Sequence, residues 1–344
     1  MKKLNINIDI GINTALFYCF PLSIISAYPV YKNWIASNYI EIAGGTTQYE
    51  NDLNSYRYYI DSYCFCDVYS VRDPVLIQNG VSSKILTGID IHEIIRESIN
   101  NDKYILLFVD EYYLPESASG NSEHRLHEQL IYGYCEAKRI YYAAGFNKDR
   151  QYALIEHDFD DMENAYKKGF FCDMHGNVNW VNDNRLISLA VPDNLSEYPL
   201  DRKYYAEKIR SYLSGRLDPK RDYFLSQKIK RCFYGISYYD MITEEIKDIN
   251  KTGMFLHINH LRDHKYMLKN SMKIYADYQN NVEALILAEE FIKTFNSIDI
   301  IRSKLLKNKV SRRNTSNDVL NDIRQIKQKE YDLLSRYAEI LLKN

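Results

Sequence analysis

A chain of 344 residues is long enough to bury two hydrophobic cores. Its 44 basic residues nearly cancel 46 acidic ones, so a formal net charge of −2 excludes any global attraction to nucleic acid or to an anionic membrane, and partners must be recognised at local sites. Six cysteines in a chain of this size read as free thiols rather than a disulfide scaffold, and 32 tyrosines against 13 phenylalanines supply aromatic surface whose hydroxyls need partners.

Residues 1–12 carry two lysines and then alternate Asn and Asp with isoleucine, without the continuous apolar segment or cleavage site of a signal peptide. No run approaches the ~20 apolar residues that span a bilayer, because residues 16–30 are interrupted by Pro21 and Pro29; the expected location is the cytoplasm. The stretch before Cys19 reads as extended, and Leu22-Ser-Ile-Ile-Ser26 follows it, which predicts a helix opening near Phe20 or Pro21. The sulfur would then sit at the positive end of a helix, where the partial charge and a nearby imidazolium favour a reactive thiolate. Asn13, six residues upstream, is placed to donate its amide to a developing oxyanion. A buried, small, apolar cysteine is an equal reading of Cys19. Cys64-Phe-Cys66 has no second Cys/His pair at zinc spacing and reads as alternating strand residues. Gly44-Gly45 lacks a phosphate-cradling pattern, so neither a metal nor a nucleotide cofactor is expected.

Farther along, the periodicity predicts a helix over 91–99, a buried strand over 103–109, strands over 128–134 and 139–144, and a helix over 158–168. A strand ending in Asp110-Glu111 and a return strand opening at His127 bring the carboxylate of Asp110 and the imidazole of His127 to one end of a sheet, where they form an acid–base pair; His124 reads as solvated. Cys19 followed 108 residues later by a strand histidine is the chain order of a cysteine-nucleophile enzyme. Beyond residue 190 the pattern turns helical, which divides the chain into an α+β domain over 1–190 and a helical domain over 191–344. His257, His260 and His264 share a helix face and read as packing histidines rather than as a metal site. Residues 304–317 read as an exposed loop, whose basic part (304–313) is a docking candidate for an acidic partner, a solvated loop being the commoner explanation.

Asp110-Glu-Tyr-Tyr-Leu-Pro115, His127-Glu-Gln-Leu-Ile-Tyr-Gly-Tyr134, Tyr234-Gly-Ile-Ser-Tyr-Tyr-Asp240 and His264-Lys265 resemble motifs of the butirosin-biosynthesis acyltransferase-like proteins. These are similar to papain-fold cysteine peptidases and occur in nonribosomal peptide and antibiotic gene clusters; a cysteine-protease-like amide synthase of the closthioamide kind is among them. The resemblance implies a papain-like cysteine protease fold with a mostly helical C-terminal domain, and a cysteine that takes an acyl group from an acyl or peptidyl carrier protein thioester and passes it to a small amine. By motif position Cys19 would be the nucleophile, His127 the base and Asn13 the counterpart of the oxyanion glutamine. The peptidases carry an Asp or Asn about sixteen residues beyond the histidine, where this chain has Ala143. Asp110, with Asn147 second, is expected to orient His127 instead. A cytoplasmic cysteine peptidase and a non-catalytic natural-product-binding protein are the alternatives, and no nucleic acid, membrane or cofactor is implied.

Overall fold

This computed structural model describes residues 1–47, 57–60, 75–86, 88–169, 185–193, 195–216, 229–246, 254–311 and 316–343. Cys64, Cys66 and Cys172 lie outside them. In chain order the elements begin with β1 (Lys2–Lys3), α1 (Leu16–Ile25) and α2 (Lys32–Asn38), then β2 (Ile42–Thr47), β3 (Arg57–Ile60) and β4 (Ile77–Val81). The single turn α3 (Ser83–Leu86) precedes α4 (Ile91–Asn100). Four strands follow, β5 (Lys103–Asp110), β6 (Leu126–Cys135), β7 (Ile140–Phe146) and β8 (Tyr152–Asp158), and then α5 (Phe159–Gly169) and β9 (Leu186–Ala190). The remainder comprises α6 (Arg202–Ser214), β10 (Ile229–Tyr234), α7 (Tyr238–Ile246), α8 (Met254–Tyr278), α9 (Val282–Ser311) and α10 (Ser316–Lys343).

The chain is α+β and divides into two compact units. Among the described residues, 1–29 and 75–196 form one; 30–47, 57–60 and those from 197 onward form the other. Residues 30–47 and 57–60 thus leave the N-terminal domain to which their sequence position assigned them.

The first unit is built on an antiparallel sheet in the order β4-β9-β5-β6-β7-β8, with β1 paired to β6 at Lys2↔Tyr134. Cross-strand partners share a face. The register Ile105↔Ile131, Leu107↔Gln129 and Val109↔His127 therefore sets one face, and Leu106↔Leu130 with Leu130↔Ala144 sets the other. Two helices cover the first face. Ile91, Ile95 and Ile99 recur every four residues on α4, and Phe159, Met162 and Ala165 line α5; all join Ile105, Leu107 and Ile131 in one core. Asp90 starts α4 by accepting the His92 N–H at 2.8 Å, a cap worth about 1 kcal/mol. The N-terminal segment lies on the other face, where the Tyr104 hydroxyl bonds the Asn5 carbonyl at 2.5 Å and Lys3 sits 3.4 Å from the centre of the Tyr142 ring.

The second unit contains the antiparallel strands β10-β2-β3 and the long helices. Its core includes Tyr205 and Tyr275, stacked with ring centres 3.8 Å apart, and an ion pair that is 0% exposed. Lys265 Nζ stands 2.7 Å from Glu330 Oε1 and donates to the Tyr212 hydroxyl (2.6 Å) and to His264 Nδ1 (3.1 Å), while the Tyr239 hydroxyl donates to Glu330 Oε2 at 2.6 Å. With Nδ1 accepting, His264 uses its Nε2–H on the Ile40 carbonyl at 2.6 Å, so both ring nitrogens are spent within the core.

One sequence expectation gives way here. The loop expected over 304–317 is helical as far as Ser311, because Ile301, Leu305 and Asn308 continue a buried stripe at helical spacing. Its first cation, Lys304, is engaged by Asp322 at 2.5 Å. Strand β8 was not anticipated, since every second residue from Leu154 to Asp158 is exposed and the run lacks a continuous apolar signal. Among the described residues no helix is long and apolar enough to cross a membrane.

Candidate functional site

Helix α1 begins at Leu16, not at Phe20 or Pro21 as expected, with Ala15 extended ahead of it, and Pro21 lies inside the helix. Cys19 consequently closes the first turn, its N–H donating to the Ala15 carbonyl at 3.0 Å. Helical side chains tilt toward the N-terminus, and the thiol reaches back to the Ile12 carbonyl at 3.7 Å. Cys19 is 0% exposed, and in this conformation its backbone N–H is committed to the helix rather than presented to an oxyanion. Asn13 lies in the non-helical stretch just before α1 and is exposed.

Asp110 ends β5 and does not orient His127. Its Oδ1 accepts the N–H groups of Tyr112 (3.1 Å) and Arg125 (3.0 Å), and its Oδ2 lies 2.7 Å from His124 Nδ1. A short carboxylate at a strand end bonds the backbone of its own turn. Asn147 is spent the same way, its Oδ1 accepting from the N–H groups of Asp149 and Gln151 at 3.0 Å each. Neither faces the imidazole.

The carboxylate that does is Glu111. It is 0% exposed, and its Oε1 lies 3.4 Å from His127 Nδ1, an ion-pair contact rather than an aligned hydrogen bond. Glu128 Oε2 stands 3.9 Å from Nε2 on the other side. Burial alone would push the imidazole toward its neutral form, but Glu128 and Glu111 together raise its pKa above 6.5, with Arg125 opposing. Gln129, also 0% exposed, holds Glu111 by donating Nε2–H to Oε1 at 3.0 Å and stands 3.4 Å from the Ser117 hydroxyl. Gly145 makes room for it: a Cβ there would lie 2.5 Å from Gln129 Oε1. His157, 2% exposed, feels the charges of Glu111 and Glu116, yet burial dominates and pushes its pKa down to about 4. The signal for Glu111 and Gln129 lay in the period of two: Val109-x-Glu111 and His127-x-Gln129 extend one face.

Cys19 and His127 reach the same end of the sheet without meeting. The Tyr152 hydroxyl, at the start of β8, bonds Ser23 Oγ at 2.8 Å; burial, and after it the nearby Cys19, push its pKa up against that hydrogen bond. Tyr152 is the cross-strand partner of Phe146, whose ring centre lies 6.4 Å from that of His127. The register assigns Phe146 and Tyr152 to the face of Leu130 and Ala144, one residue out of phase with His127 and Gln129. The aromatic pair that adjoins Cys19 is thus assigned to the sheet face opposite His127. Among the described residues no three His, Cys, Asp or Glu side chains group as metal ligands. Compared with known proteins, the chain matches no family model and no curated protein.

Proposed function

We propose that the chain is a cysteine-dependent acyltransferase of papain-like kind, which forms an amide by passing an acyl group from a carrier-protein thioester through Cys19 to an amine. The observation that carries this reading is the buried Glu111–His127 pair at the sheet end to which α1 brings a first-turn thiol. A thiol enzyme needs an imidazole whose other nitrogen faces a fixed carboxylate, and Glu111 with Gln129 fills that role in place of Asp110. In the first step the Cys19 thiolate attacks the thioester carbonyl and the carrier thiol leaves with a proton; in the second an amine attacks the acyl-enzyme, His127 takes its proton, and the thiolate departs. Engagement requires Cys19 to turn from the Ile12 carbonyl and to reach His127 around the end of the sheet. A peptide in place of the thioester and water in place of the amine would make the same residues a peptidase.

A second reading is favoured by one observation: Cys19 is wholly buried, with its S–H directed at Ile12 and its N–H at Ala15. These are the features of a packing cysteine in a non-catalytic binding protein. Intact-mass analysis after incubation with a small acyl thioester separates the two. Acyl transfer requires one adduct that is absent in Cys19→Ala, forms slowly in Glu111→Gln and is discharged by added amine. An adduct that persists in Cys19→Ala, or none at all, leaves the binding protein.

A further inference from the structure

Glu111 and Gln129 are both 0% exposed, yet Glu111 Oε2 and Gln129 Oε1 have no hydrogen-bond partner. Their other polar atoms are bonded to each other at 3.0 Å, so the two orphan oxygens belong to one place in the interior. An unmet buried acceptor costs about 1–3 kcal/mol, and folded proteins seldom leave several together.

The geometry points to an internal binding site, walled by Glu111 and Gln129, that holds one small hydrogen-bond donor of the water or ammonium type. Both orphan oxygens are acceptors, so the occupant must bring at least two X–H bonds. One belongs to a carboxylate whose imidazole neighbour, His127, lies against Oε1, so positive charge at Oε2 is favoured. On the side of Gly145 the site admits nothing larger, because a Cβ there would lie 2.5 Å from Gln129 Oε1. A divalent metal fits less well, since no three donors among the described residues have ligand geometry.

Water and ammonium offer the same donors and are told apart by solution NMR on the folded chain. The first arm looks for magnetisation transfer between water and the Gly145 α-protons, which lie against the Gln129 oxygen. The second adds ¹⁵N-ammonium chloride against equal sodium chloride and looks for a slowly exchanging bound resonance, with a rise in Tm specific to ammonium. A water cross-peak assigns the site to water and an ammonium resonance to a cation; either signal must vanish in Gln129→Met. Should that variant not fold, Glu111→Gln, which keeps the shape and replaces one acceptor by a donor, must weaken the signal at least tenfold. Neither signal in the folded wild type, or a signal unchanged in the variants, overturns the site.

Discussion

Replacing His157 by leucine should flatten the acid sensitivity of the first unit. His157 sits on β8 opposite Tyr141, 2% exposed, and burial holds it neutral to about pH 4 against 6.5 for an accessible imidazole. The folded state therefore binds fewer protons than the unfolded one between those values, so stability is present above pH 6.5 and is lost as pH falls toward 4. At 1.36 kcal/mol per pH unit, the whole gap corresponds to about 3 kcal/mol. Between pH 7 and pH 4.5 the wild type should lose about 2 kcal/mol through this group. Hydrogen exchange of the β7 and β8 amides, converted to opening free energies at both pH values, reads this in the unit that contains His157 and leaves out titrations elsewhere. The His157→Leu variant should lose about 2 kcal/mol less than wild type over the same interval. Equal losses in the two proteins would refute the claim that this imidazole is kept neutral by burial.

His127 carries the opposite sign: its pKa is raised by Glu128 and Glu111, so its contribution is complete below pH 6.5 and is lost as pH rises through the folded value. In Glu111→Gln the His127 ring resonance should titrate at lower pH than in wild type; an unchanged midpoint would remove Glu111 as its partner. Gly145→Ala should push Gln129 away from Glu111 at a cost of about 1–3 kcal/mol, and Gln129→Ala placed on top should recover part of it in urea titrations, since it removes the clashing amide. In the second unit, Lys265→Met leaves Glu330 buried without its cation and should cost about 3–5 kcal/mol. Lys265→Met with Glu330→Leu should be appreciably more stable than the single variant, and a double variant as unstable as the single one would show that charge pairing is not what the network supplies.

Much of the architecture was legible in the order of residues alone. Amphipathic stripes specify α4, α5 and the three long helices, and continuous apolar runs specify β5, β6 and β7, because period and hydrophobicity are local properties of the chain. Local signals also brought Cys19 to a helix first turn and His127 to the opening of a strand. The partners of those residues were another matter. A sequence shows that Asp110 and Glu111 are adjacent at a strand end, but in a strand adjacent residues face opposite ways, and only the register Val109↔His127 turned Glu111, not Asp110, toward the imidazole. The same rule of two put Phe146 and Tyr152 on the face opposite His127, while long-range packing drew residues 30–47 and 57–60 into the unit that begins again at 197. Local patterning decides what each segment is; which side chains meet is settled by burial across segments far apart in the chain, where a one-residue change of register exchanges every contact.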